Sequence, residues 1–220
     1  MSSALPAWSW LGTVPYAEAL QRQRVRRDAV LAGEAGPVLW LLEHPPVVTE
    51  GRRVPDCPTP VERLRAQGID WLRTERGGLA TYHGPGQLVG YLICDVAALG
   101  LSVKGTVGAL ERALIAWLGA QGVAAGPREG CPGVWIGRAK IAAIGLHFQR
   151  SVSMHGFALN LTVDLAPFSM IVPCGIRDGE VTSLERLQPG RAPRPGQAAP
   201  GIARAVLEAL ACPAGNGPIG

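Results

Sequence analysis

The segment Arg76-Gly77-Gly78-Leu79-Ala80-Thr81-Tyr82-His83-Gly84-Pro85-Gly86-Gln87 constrains the fold more than any other part of the chain. Its four glycines and one proline do not permit a helix to run through it, and they free the backbone to approach a ligand closely. On either side, Ile69 to Thr74 and Leu88 to Asp95 read as strands. The segment has no Gly-Lys-Ser/Thr of a phosphate loop. Gly84 and Gly86, with Gly90 beyond the segment, miss the dinucleotide spacing by one residue and precede a strand where a helix is needed. Taken by itself it is a ligand-binding loop or a structural turn. Arg76, Thr81, Tyr82 and His83 within it supply polar groups for the first reading.

The rest of the chain alternates apolar runs with helical stretches. Tyr16 to Gly33, opened by Pro15 and closed by Gly36-Pro37, reads as a helix. Its Arg22, Arg24, Arg26 and Arg27 form a solvated face or a docking patch for an acidic protein. Val38 to Leu42 reads as a buried strand. Thr59-Pro60-Val61-Glu62 reads as a capping box opening a short helix to Gly68. Val103, Val107, Leu110, Leu114, Trp117 and Leu118 fall at helical spacing. Val134 to Ile136, the turn Gly137-Arg138 and Ala139 to Phe148 read as a hairpin. Phe157, Leu159, Leu161 and Val163 alternate with polar or small residues, which predicts a half-buried strand. Thr182-Ser183-Leu184-Glu185 reads as a second capping box, residues 189–200 as a flexible crossing, Ile202 to Leu210 as a last helix and 213–220 as a loose tail. The pattern is α+β in one domain spanning 1–220.

Composition narrows the function classes. With 47% hydrophobic and 17% charged residues, the 220-residue chain can bury one sizeable core. No apolar run of about 18 residues predicts a membrane span, and the N-terminus lacks a secretory pattern, so a cytoplasmic protein is expected. A net charge of +4 with 5% aromatic residues gives little support for nucleic-acid binding. The five cysteines, at 57, 94, 131, 174 and 212, include no Cys-x-x-Cys, which speaks against a disulfide framework or a zinc ribbon.

Two residues stand out chemically. Of the 21 basic residues only Lys104 and Lys140 are lysines. In a strand, Lys140 shares a face with Ala142, Ile144 and Leu146, so it either snorkels at a strand end or sits in a dry pocket that makes it available as a base. Cys174 lies between Pro173 and Gly175, a tight-loop setting that suits an accessible thiol, although Cys57 is also proline-flanked.

Together these segments resemble the octanoyltransferases of lipoate biosynthesis. The matching strings are Glu43-His44-Pro45-Pro46 with Thr49-x-Gly51, the Arg76 to Gln87 segment, Gly133-Val134-Trp135, and Lys140-Ile141-Ala142-x-Ile144-Gly145. They continue through His155-Gly156-Phe157-Ala158-Leu159-Asn160, Pro173-Cys174-Gly175 and Val181-Thr182-Ser183-Leu184. The match runs from about residue 14 to 187. Departures from the family pattern are Leu79-Ala80, Ala143 and Phe157, all of them packing changes.

The resemblance implies a biotin/lipoate protein ligase-like catalytic domain, with a mixed, mainly antiparallel β-sheet flanked by helices. It implies transfer of an octanoyl or lipoyl group from acyl carrier protein to a lipoyl-domain lysine. Acceptors would be the lipoyl domains of 2-oxoacid dehydrogenase complexes and the glycine cleavage H protein. Cys174 would be the nucleophile and Lys140 its acid/base partner. Substrate would be lined by Arg76, Gly77, Gly78, Leu79, Ala80, Thr81, Tyr82 and His83, by Ala143, Ile144 and Gly145, and by Gly156, Phe157 and Ala158. Leu79, Ala142, Ala143 and Phe157 would line the acyl slot, and backbone N–H groups near Gly78 and Gly145 are candidate oxyanion donors. His83 would orient the loop or Tyr82 rather than act as a base. No metal or nucleotide cofactor, no nucleic acid, no membrane and a monomer are expected. The readings left open beside it are an ATP-dependent lipoate or biotin ligase, a thiol hydrolase, and a non-catalytic acyl-carrier-binding module.

Overall fold

Short apolar runs build a seven-stranded sheet in the computed structural model, which describes residues 4–53, 59–171 and 180–212. Its strands are β1 (Ala7–Thr13), β2 (Val38–Glu43), β6 (Gln87–Ile93), β9 (Val152–Asn160), β8 (Ala139–Gln149) and β10 (Glu180–Val181), in that spatial order, with β7 (Gly133–Ile136) also on β8. A second sheet sets β3 (Val47–Glu50) between β4 (Asp70–Arg73) and β5 (Ala80–His83). The β1–β2, β8–β10 and β3–β4 pairs are parallel and the other strand pairs antiparallel. The α+β class and the mixed, mainly antiparallel sheet are as expected.

Helices cover both faces of the large sheet. On one face lie α3 (Val103–Ala120) and α5 (Pro195–Ala211), which close the main core with Leu39, Leu88, Leu92, Ile141, Phe157 and Leu159. Ser102 caps α3 by accepting from Gly105 N at 3.0 Å, and the buried stripe Thr106, Leu110, Ala113, Leu114 and Trp117 keeps helical spacing. On the other face lies α1 (Tyr16–Leu31), which buries only Tyr16, Ala19, Leu20 and Gln23. Three of its arginines are engaged in ion pairs: Arg22 with Glu18, Arg24 with Glu75 and Arg27 with Asp28. No helix among the described residues is long and apolar enough to cross a membrane.

Four local expectations are corrected. α2 (Val61–Arg65) has no side-chain cap, because the Thr59 hydroxyl donates instead to Glu50 of β3. The second box is displaced by one residue: Ser183, not Thr182, caps α4 (Leu184–Leu187) by accepting from Arg186 N. The crossing at 189–200 ends at Arg194, since α5 starts at Pro195 despite its Pro and Gly content. Proline suits a first helical turn, and Ala198, Ala199, Ile202, Ala203, Val206 and Leu210 gain enough burial to override propensity. Finally, β9 is buried along its whole length rather than on one side, because helices cover both of its faces.

Candidate active site

A cavity of about 520 Å³ opens where β8 outruns β7 and meets the glycine-rich loop. Loop and strand can touch because side chains are missing where they cross. A Cβ on Gly51 would lie 2.4 Å from Gly78 O, and one on Gly145 would lie 3.1 Å from Gly77 O. The loop is pinned by Gly77 N to Leu146 O at 3.1 Å, and by Arg52 N and Arg53 N to Arg76 O and Gly78 O at 3.0 and 3.1 Å. Arg76 is buried and fastens the same corner: its Nε donates to Thr49 Oγ1 at 3.1 Å, its Nη1 to Gly77 O at 3.0 Å, and its Nη2 to the Thr49 carbonyl. Each guanidinium nitrogen thus bonds a protein group, so Arg76 shapes the loop as a built part of the wall.

Lys140 enters the cavity through an irregularity in β8. The β7–β8 register pairs Trp135 with Lys140 and Val134 with Ala142, leaving Ile141 as one extra residue. Such a bulge resets the alternation of the strand. Ile141 and Ala142 both go to the main core, while Lys140 and Ala143 both line the cavity. The expected grouping of Lys140 with Ala142 is therefore corrected, and Ala142 does not line the slot. The Lys140 side chain is 6% exposed. Its Nζ donates to Pro132 O at 3.3 Å and lies 4.7 Å from the Trp135 ring centroid. It leans over Gly133, where a Cβ would come within 3.4 Å of Lys140 Cε and 2.4 Å of Ala142 O. That contact explains the glycine at the start of Gly133-Val134-Trp135.

The other expected lining residues divide by strand phase. Arg76, Gly77, Gly78, Leu79, Thr81 and His83 face the cavity, as do Ala143, Ile144, Gly145, Gly156, Phe157 and Ala158. Ala80 and Tyr82 point the opposite way, into the small-sheet core with Val48, Leu64 and Phe168. Cys174 lies outside the described residues, as does Cys57. Near Gly78 and Gly145, the loop's Gly77 N–H is taken by Leu146 O.

A buried polar relay runs beside these walls. His83 Nδ1 donates to Gln87 Oε1 at 2.7 Å, Gln87 Nε2 to Asn160 Oδ1 at 2.9 Å, and Asn160 Nδ2 to Thr182 O at 3.0 Å. Thr182 N then donates to Lys140 O at 3.0 Å, so the relay ends on the backbone of the lysine. Burial, followed by neighbouring His44, pushes the His83 pKa well down, so the ring is neutral. Its Nδ1 bond is to Gln87. His44 is not in the cavity wall. Its Nδ1 donates to Val14 O at 2.6 Å, so its Nε2 accepts from Tyr91 OH at 2.6 Å, and burial pulls its pKa to about 4. Tyr91 in turn forms the wall, with Tyr16.

Tyr16, Tyr91, His147, His155, Arg52 and Arg53 also line the cavity, although none was among the expected lining residues. One signal was available. The chain has only four histidines and three tyrosines. All but Tyr82 either line this cavity or, in the case of His44, hold a residue that does.

Comparison with known proteins gives this geometry a family. A model of the lipoyl protein ligase A/B catalytic domain matches residues 15–203. An octanoyltransferase of Rhizorhabdus wittichii is 44% identical over 180 residues, covering 80% of this chain and 79% of its own length. The chain belongs to the octanoyltransferase family. An octanoyltransferase of Novosphingobium aromaticivorans is 46% identical over 189 residues, covering 84% of this chain and 82% of its own length. The fold is shared more widely. The crystal structure of a lipoate-protein ligase A bound with ATP superposes with a TM-score of 0.73 at 16% identity, over 94% of this chain and 86% of that one. At such identity the likeness speaks for the fold alone, and it confirms the ligase-like architecture.

Proposed function

We propose that this octanoyltransferase works through an acyl-enzyme on Cys174, with Lys140 as its acid/base partner. The observation that supports the route is the buried Lys140 side chain inside a cavity walled by the glycine-rich loop. A thiol near its ordinary pKa is mostly protonated at neutral pH, and a neighbouring ammonium favours the thiolate. Five residues separate Cys174 from Glu180, and Glu180 pairs with Ala139, next to the lysine.

In the first step the Cys174 thiolate attacks the carbonyl carbon of the donor thioester. The carbonyl re-forms, the carrier thiolate leaves, and the Lys140 ammonium protonates it. Exchanging one thioester for another is close to thermoneutral and needs no nucleotide. In the second step the acceptor lysine amine attacks the acyl-Cys174 carbonyl, neutral Lys140 takes the amine proton, and the Cys174 thiolate departs from the new amide. Bulging β8 at Ile141 is what brings a lysine to this wall while the strand still fills the core.

The donor in this reading is octanoyl-acyl carrier protein. The acceptors are lipoyl domains of 2-oxoacid dehydrogenase complexes and the glycine cleavage H protein, and the setting is the cytoplasm. The route uses no metal or nucleotide. Intact mass after mixing with octanoyl-acyl carrier protein, without ATP, tests it directly. One hydroxylamine-labile octanoyl adduct is expected on the wild type and none on Cys174→Ser. Unmodified wild type beside intact donor would refute the route and favour an ATP-dependent ligase reaction.

A further inference from the structure

His155 breaks the pattern of its strand. It pairs with Leu146 across β8, and Leu146 and Phe157 both belong to the core under α3 and α5. A regular pleat would send His155 into that core with them. Instead its φ is 60°, a left-handed conformation rarely adopted by a side chain of this size. The turn re-aims the ring to the α1 side of the sheet, where it meets Tyr91 edge-on with centroids 6.3 Å apart and lines the cavity. The strand is held in this form by His155 N donating to Gln23 Oε1 of α1 at 2.8 Å.

The ring is 2% exposed, and neither Nδ1 nor Nε2 has a hydrogen-bond partner among the described residues. A buried, unpartnered polar ring held by a strained backbone is costly in a core and useful in a ligand site. Burial holds its pKa down to about 3, so it is a neutral imidazole offering one donor and one acceptor.

Its place along the cavity says which part of a substrate it meets. The Lys140 side chain leans over Gly133, which pairs with Ala143, and His155 pairs with Leu146. Ala143 to Leu146 spans about 10 Å at about 3.3 Å per strand residue. An extended eight-carbon chain, with seven bonds of about 1.5 Å, spans roughly 9 Å. With its carbonyl near Lys140, such a chain ends at His155. Between the two lie Ala143, Gly145, Gly156 and Ala158, which offer the chain no polar side chain.

We propose that His155 reads the far end of the acyl chain, and that the cavity takes eight-carbon chains carrying a terminal hydroxyl as well as plain alkyl chains. The inference rests on the acyl-transfer reading above. A hydroxyl can donate to the unprotonated ring nitrogen or accept from the protonated one, so either tautomer offers it one hydrogen bond.

Competition tests it. Equimolar octanoyl- and 8-hydroxyoctanoyl-carrier thioesters are offered with a lipoyl-domain acceptor, and the ratio of the two acylated products is read by mass. The variants are His155→Gly, which adopts the positive φ without strain, and His155→Asn, which tolerates it and keeps a polar group. In the wild type the hydroxylated chain is expected within about tenfold of octanoyl, as one hydrogen bond offsets desolvation of the hydroxyl. In His155→Gly the ratio should fall a further tenfold or so, and His155→Asn should restore much of it. An unchanged ratio in His155→Gly overturns the inference. So does a wild type that rejects the hydroxylated chain about a hundredfold, as an apolar pocket does. In both cases octanoyl transfer continues and the transfer reading stands. A wild type that transfers neither chain overturns both.

Discussion

Mild acid should destabilise this protein well before its carboxylates titrate. His44 and His155 are buried as neutral rings with pKa values of about 4 and about 3, against 6.5 in an unfolded chain, and burial is the main cause for each. A histidine whose folded pKa is depressed takes up its proton only on unfolding, so stability is complete above pH 6.5 and declines as pH falls towards the folded value. In that window each such ring costs about 1.4 kcal/mol per pH unit. At pH 5 the two together remove about 4 kcal/mol relative to neutral pH. His83 is shifted in the same direction by burial and adds to the loss. Glu75 is held low by Arg24 against the opposing effect of its own burial, so its contribution fades only at still lower pH. Against a typical domain stability of about 5–15 kcal/mol this is a large share, equivalent to a melting point lower by roughly 10 °C. Guanidinium unfolding at pH 7, 6 and 5 and constant ionic strength measures it. His155→Asn should lose about 2 kcal/mol less than wild type over the same range. A wild-type change below about 1 kcal/mol between pH 7 and 5 would refute the reasoning that these rings are buried and neutral.

Three further outcomes are expected. Lys140→Met should slow octanoyl transfer by about 10²–10⁴-fold in single-turnover assays, the usual contribution of a positioned acid/base, and a loss under tenfold would remove Lys140 from that role. Gly156→Ala should destabilise by about 1–3 kcal/mol in chemical denaturation, because the new Cβ would sit 2.2 Å from Gly90 O, and unchanged stability would contradict the packing of β6 on β9. Arg76→Lys should destabilise by about 3 kcal/mol, since one ammonium cannot replace the donors that hold the Thr49 and Gly77 carbonyls, and equal unfolding midpoints would show that the loop does not depend on the fork.

Much of this architecture is legible in residues whose effect is local. The helical spacing of Leu110, Leu114, Trp117 and Leu118 in α3 and the buried apolar run Val38 to Leu42 could be read, because periodicity and burial patterns act over a few residues. The glycine-rich loop is legible for the same reason, since missing side chains leave a mark in composition. What stayed hidden depends on partners remote in sequence. The bulge at Ile141 follows from pairing with β7, and β9 is buried twice because α1 closes its second face. The split of the 76–83 block into cavity and core residues follows from the phase of β5 against β3. His155 is the extreme case: no neighbour in sequence announces a left-handed histidine, and only its distance from regular strand geometry reveals it.

The extra residue at Ile141 has a consequence for how this site can be lost. A strand offers only two directions, and the two residues between Lys140 and Ala143 would put them on opposite sides if the bulge did not absorb one. Substitutions at Ile141 alter packing yet leave that count intact. Removing Ile141 would leave only Ala142 between Lys140 and Ala143, the regular spacing of a single face, so the lysine would stay on the wall and the core would lose one apolar side chain. What would silence the lysine is pairing this stretch regularly at its present length, which would turn Lys140 into the interior; the bulge, not the count alone, holds it on the wall.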